Sequence, residues 1–155
     1  MIEDKNVIDN IIITPCSGAE YNGELARQVA IKLSENSEIS SISSMHCSTI
    51  FLKNILLKND ILVQITKEHL KSSFSVIIDG CRISCVKTIF NFLELEPDLV
   101  IYVDEVVPKQ KLNINDLEAF KNLPRLSNIK KEDINKVTNL ITEKLKEKGL
   151  NIEDC

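Results

Sequence analysis

The chain has 155 residues, 43% hydrophobic and 27% charged, with a formal net charge of -4 and no Trp. This is a globular composition, long enough to bury a core without disulfides or metal and too short for two comfortable domains. The acidic balance and the lack of a long basic run exclude a nucleic-acid surface, and no apolar run is long enough to span a membrane.

The N-terminus, MIEDKNVIDN, is acidic and polar and does not read as a signal peptide. A cytoplasmic, reducing compartment follows, in which cysteines serve metal or thiol chemistry before disulfides.

Residues 7–15 (VIDNIIITP) are β-branched and apolar toward their end, which predicts a buried strand. The loop CSGAEYNG follows. Residues 24–34 carry Leu25, Ala26, Val29, Ala30 and Leu33 at helical spacing, with Asn22 or Gly23 near the cap. Residues 39–46 (ISSISSMH) predict a short, weakly apolar strand that leads to Cys47. Residues 49–58 read as a helix with Phe51, Leu52, Ile55 and Leu56 on one face. Asn59 and Asp60 break it. Residues 61–70 form either a further helix capped by Asp60 or, over ILVQI, a strand.

Residues 74–78 (FSVII) predict a buried strand running into Asp79, Gly80 and Cys81. A helix is expected over residues 83–95, with Val86, Ile89, Phe90 and Leu93 inward. Residues 99–107 (LVIYVDEVV) predict a last strand, ended by Pro108. Residues 109–129 are polar, with a short helix expected over 116–121 and an interruption at Pro124. The final helix spans 131–148, with Ile134, Val137, Leu140, Ile141 and Leu145 inward and Gly149 as its stop. Its lysines alternate with Glu and Asp, the pattern of a solvated face laced with i,i+4 pairs.

Strands alternating with helices imply βαβ units. The expectation is one α/β domain over residues 1–155. It has three layers and a mostly parallel sheet of about four strands, Rossmann/flavodoxin-like, with helices on both faces and the C-terminal helix packed on it. In that frame Cys16, Cys47 and Cys81 each follow a predicted strand. Open α/β sheets bind ligands beyond the carboxyl ends of their strands, where strand order switches. Neighbouring strands lie roughly 5 Å apart, and thiolates around a tetrahedral zinc lie about 3.8 Å apart. A strand order 2-1-3-4 lets the side chains bridge that gap. Cys85 is four residues beyond Cys81 and joins the group if Cys81 starts the helix. Cys16 and Cys81 precede helices, whose free N–H groups favour thiolates, and four thiolates suit a soft divalent cation. Each cysteine by itself reads equally well as a small buried hydrophobe. Cys155, at the terminus, is set aside.

At these residues the chain resembles the DGC domain family, described as zinc-binding proteins. The motif that names the family is Asp79-Gly80-Cys81, extended to Cys85 in DGCRISC. The segment CSGAEYNGELA from Cys16 is similar to the family's Cys-Ser-Gly stretch before a helix, and Cys47 matches its lone middle cysteine. The resemblance covers residues 10–107 and leaves 108–155 as a helical extension. It implies zinc held by Cys16, Cys47, Cys81 and Cys85, and no settled biochemical activity. The chain departs from the family at Ala19, where many relatives carry a further cysteine, and at Arg82, where proline is common.

Asp79 is a candidate to orient the cysteine turn from behind the metal, and reads more simply as a cap at the strand–helix junction. Gly80 permits an unusual backbone turn. Ser17 is placed to donate to a thiolate, or to close a turn. His46 alternates with Cys47 on a strand and faces away from it; His69 sits in a polar helix. Arg82 attracts an anion or belongs to the surface. Three other readings of the cysteines stand beside zinc. One is thiol redox or sulfur transfer by Cys16 and the Cys81/Cys85 pair. Another is an iron–sulfur cluster on the same four sulfurs. The third is a metal-stabilised interaction module, although no exposed motif identifies a partner. Phosphatase chemistry from CSGAEYNG lacks the arginine that clamps phosphate.

Overall fold

The computed structural model of the chain describes residues 10–16, 20–35, 39, 41–42, 60–108, 118, 121, 128–150 and 152. Strand β1 (Ile11–Pro15) is buried at all five positions, as its unbroken apolar run requires of a strand covered on both faces. It lies between β2 (Ser41–Ile42) and β3 (Phe74–Asp79), and β4 (Leu99–Tyr102) flanks β3. The sheet is parallel throughout, in the order β2-β1-β3-β4, which is the arrangement expected from the cysteines.

The period of two divides the core into two layers. Ile11, Ile13, Val76, Ile78 and Ile101 face α1 (Tyr21–Leu33) and the C-terminal helix. Ile12 and Ile77 face the opposite side, where Val86, Ile89 and Phe90 of a third-strand helix, Leu93 at its C-terminal cap and Leu70 of α2 (Asp60–Lys71) cover them. That third-strand helix is α3 (Cys85–Phe92). Among the described residues no helix is long and apolar enough to cross a membrane.

Several boundaries differ from the sequence expectation, each for a tertiary reason. Helix α1 starts at Tyr21 rather than Glu24. Asn22 and Gly23 are therefore in its first turn and buried, and the Asn22 amide donates to the Val107 carbonyl at 3.0 Å instead of capping. Over residues 61–70 the helix is formed, not the strand. The last strand stops at Tyr102, because its neighbour β3 ends at Asp79, the partner of Tyr102. With no further strand to pair with, the chain closes one helical turn, α4 (Val103–Val106), through the Val107 N–H on the Val103 carbonyl at 2.8 Å.

Helix α3 ends at Phe92 instead of Leu95. Glu94 takes a left-handed conformation (φ 55°), and the N–H groups of Glu94 and Leu95 close on the carbonyls of Asn91 and Phe90 at 3.0 Å each. The same double closure ends α5 (Lys131–Glu147), where Gly149 is the left-handed residue (φ 82°) that the sequence predicts as the stop. Residues 7–9, 43–46, 49–58 and most of 109–127, on which other expected elements fall, lie outside the described residues; Glu118 and Lys121 are helical.

Helix α5 belongs to the first core layer through Val137, Ile141 and Leu145, and one tyrosine ties it to α1. The Tyr21 hydroxyl donates to Asp133 at 2.7 Å and accepts the Lys130 N–H at 3.1 Å. Desolvation pushes its pKa above the ordinary value, with Asp133 adding to the rise and the Lys130 bond opposing it. Tyr21→Phe is expected to cost about 1 kcal/mol in urea denaturation at neutral pH. A raised folded pKa places that contribution below about pH 10 and removes it as pH rises through the folded value. The difference between wild type and variant therefore shrinks under alkaline conditions; a gap that widened instead would contradict the role given to this bond.

Candidate metal centre

In the order β2-β1-β3-β4 the chain leaves β1 toward one edge of the sheet and later returns on its other side as β3. The carboxyl ends of β1 and β3 therefore flank the switch point. Cys16 is the first residue beyond β1, and its N–H donates to the Ile78 carbonyl at 2.7 Å. The register pairs Pro15 with Ile78, which sets Cys16 beside Asp79. Cys81 stands two residues beyond β3, and Cys85 is the first residue of α3.

The helix starts at Cys85 rather than at the expected residue 83, and the condition that Cys81 start it is not met. A tight turn intervenes, closed by the Ser84 N–H on the Cys81 carbonyl at 3.0 Å. Ser84 then takes a left-handed conformation (φ 58°) before the helix begins. Cys85 thus reaches the neighbourhood of Cys81 by a chain reversal and not by one helical rise. Desolvation pushes the Cys85 thiol above its ordinary pKa, and the charges of Cys16, Asp79 and Cys81 push it further. The three described cysteines share one electrostatic neighbourhood, and no disulfide joins them. Among the described residues no group of three or more His, Cys, Asp or Glu is arranged to hold a metal ion. Cys47 and Ser17 lie outside those residues, as does His46. Thiols at the ends of β1 and β3 are donors that suit a soft divalent cation in kind.

Asp79 is 1% exposed. Its two carboxylate oxygens accept the N–H groups of Val86 at 3.0 Å and Lys87 at 3.2 Å. It caps α3 from the end of the preceding strand, a task that Ser84, facing the wrong way, does not perform. Burial pushes its carboxyl up, while the same two N–H groups and the Lys87 charge pull it back. Two of the first N–H groups of α3 are thereby committed to a carboxylate and not to a thiolate.

Gly80 is explained by contact and not by dihedral freedom. A Cβ built there would meet the Gly23 nitrogen at 2.9 Å and the Asn22 carbonyl carbon at 3.1 Å. The end of β3 and the first turn of α1 pass backbone to backbone. Gly80→Ala is expected to force them apart and cost roughly 2 kcal/mol, a fall in melting temperature of roughly 4–8 °C for a chain of this size. An unchanged melting temperature would show that the crossing yields without strain.

Four functional candidates escaped the sequence. The sequence assigns Tyr102, Asp104 and Glu105 to a strand; Tyr102 is the last residue of β4, Asp104 and Glu105 lie in the helical turn α4 instead, and all three meet the cysteine loop. Asn22, expected near the helix cap, instead ties α1 to the residue after α4. The Arg82 guanidinium stacks on the Tyr102 ring at 4.2 Å and pairs with Glu105, and the Arg82 N–H donates to Asp104 at 3.3 Å. The other Asp104 carboxylate oxygen is buried and without a hydrogen-bond partner among the described residues. The signal available in the sequence was the acidic pair Asp104-Glu105 interrupting the apolar run of residues 99–107, a point at which a strand can end and its carboxyl end open to a site.

In metal-free protein, Cys85 alkylation by iodoacetamide is expected to keep accelerating with pH beyond the ordinary thiol range of about 8.5. The thiolate is the reactive form, and its pKa is raised. Peptide mass spectrometry across pH 6–10 reads this directly, and a rate already level by about pH 8 would refute the raised value.

A search of curated proteins and one of solved structures found no match. The family model of the DGC domain matches residues 12–141, beyond the segment on which the sequence resemblance rests and into α5. With the Asp79-Gly80-Cys81 motif at the switch point and most of its length matched, the chain belongs to the DGC domain family.

Proposed function

We propose that the protein holds one zinc ion with the thiolates of Cys16, Cys47, Cys81 and Cys85. The observation that carries this reading is the placement of Cys16 just beyond β1 and of Cys81 and Cys85 just beyond β3, on the two strands that flank the switch point of the sheet. Membership in the DGC domain family is consistent with a metal-binding role. Thiolates prefer soft or borderline cations, and four of them make a closed tetrahedral zinc site. Zinc there would draw the sulfurs to its own spacing and keep them ionised. Asp79 supports the site from behind by fixing the start of α3, where Cys85 stands, and Gly80 lets the cysteine loop lie against α1; Ser17, next to Cys16, is the candidate donor to a thiolate. The reducing cytoplasm is the compartment in which these thiols stay available.

Elemental mass spectrometry of anaerobically purified protein is expected to give about one zinc per chain and no visible absorption. Cys16→Ser and Cys81→Ser are expected to lose most of that metal, and Cys155→Ser none. Iron with acid-labile sulfide would replace zinc by a cluster. A stable, metal-free, thiol-reactive protein would make sulfur transfer or redox chemistry by Cys16 and the Cys81/Cys85 pair the function instead.

A further inference from the structure

The last residue of β4 and the turn α4 grip the cysteine loop at four points. Within Tyr102–Glu105, the Tyr102 ring carries the Arg82 guanidinium at 4.2 Å, and its hydroxyl meets the Ser84 hydroxyl at 3.2 Å. Asp104 accepts the Arg82 N–H at 3.3 Å, and Glu105 forms the ion pair with Arg82. All four contacts fall between Cys81 and Cys85, on a stretch that also contains the left-handed Ser84. A non-glycine residue stays in that conformation only where its surroundings hold it.

We infer that the Tyr102–Glu105 turn is a bracket for the Cys81–Cys85 loop, and that Arg82 is its positioning residue, fixing the loop before a metal arrives. The inference rests on the zinc reading above. The Arg82 and Glu105 side chains are 63% and 51% exposed. An ion pair and a ring contact at that exposure add little to global stability. Their effect is local: they remove the freedom that the three residues between the sulfurs would otherwise lose when the two sulfurs close on an ion. A residue that lies between two ligands and holds their loop acts on affinity through geometry, as outer contacts of metal sites generally do.

Arg82→Gln, Glu105→Gln and the double variant distinguish this from ordinary surface pairing. Zinc affinity is read by competition with a chromophoric chelator, and the melting temperature and the alkylation rates of Cys81 and Cys85 are read on metal-free protein. Arg82→Gln is expected to weaken zinc by about tenfold or more while the metal-free melting temperature moves by less than about 2 °C. Glu105→Gln weakens it in the same direction, and the double variant is no worse than Arg82→Gln alone, because both remove one contact. Lys136→Gln, which breaks the remote pair with Glu132 on α5, leaves affinity at the wild-type value. Wild-type affinity in Arg82→Gln overturns the bracket. A loss of affinity matched by a large loss of melting temperature also overturns it and makes Arg82 a general structural residue. If wild-type protein binds no zinc, the metal reading fails separately. The bracket then survives only if Arg82→Gln speeds alkylation of Cys81 and Cys85, and falls if the rates stay the same.

Discussion

The close passage of Gly80 over Gly23 is the constraint from which the site follows. A strand that ends at a switch point must turn over the first turn of the helix leaving its neighbour. Here the two backbones come so near that a single methyl group would strike the Gly23 nitrogen. That contact fixes how closely the residue before Cys81 passes the first turn of α1. A bulkier residue at position 80 would push that backbone away from α1, whatever thiols the loop carried.

Asp79 works on the other side of the same turn. A helix whose first residue follows a left-handed serine has no ordinary cap, so its first N–H groups need an acceptor from elsewhere. The carboxylate at the end of β3 supplies it, and burial is tolerated because both oxygens are bonded. The Asp-Gly-Cys motif therefore divides into three physical tasks on consecutive residues: an acceptor for the next helix, a contact with no side chain, and a sulfur delivered to the switch point. The same arrangement sends charge repulsion into the site, since Asp79 and the two neighbouring thiols all raise the Cys85 pKa. A cation would relieve that repulsion, and this links the fold to the proposed chemistry.

The C-terminal region contributes through the first core layer. Helix α5 buries Val137, Ile141 and Leu145 against the face of the sheet that α1 covers, and Tyr21 closes the seam between the two helices. The turn α4 lies between them and the cysteine loop: Asn22 holds its far end and Arg82 grips its near end. Support for the loop thus reaches back to residues that touch no sulfur.

Local pattern was enough for the elements whose signal is local. The unbroken run Ile11-Ile12-Ile13 specified a strand buried on both faces, the spacing of Leu25, Val29 and Leu33 a helix, and Gly149 a helix end, because hydrophobic periodicity and left-handed propensity depend on neighbours in the chain. Cys16 and Cys81 follow strands as their local pattern predicts, for the same reason. Pairing and contact decided the rest. Val103 to Val106 has the β-branched pattern of a strand and became a helical turn because β3 had already ended. Glu94 took the left-handed place that sequence preference reserves for glycine, since Leu95 gained burial by it. Asn22 turned from helix cap to tertiary tie, and the grip of Tyr102, Asp104 and Glu105 on Arg82 joined residues some twenty positions apart. No periodicity encodes such a meeting; it exists only once β3 and β4 lie side by side.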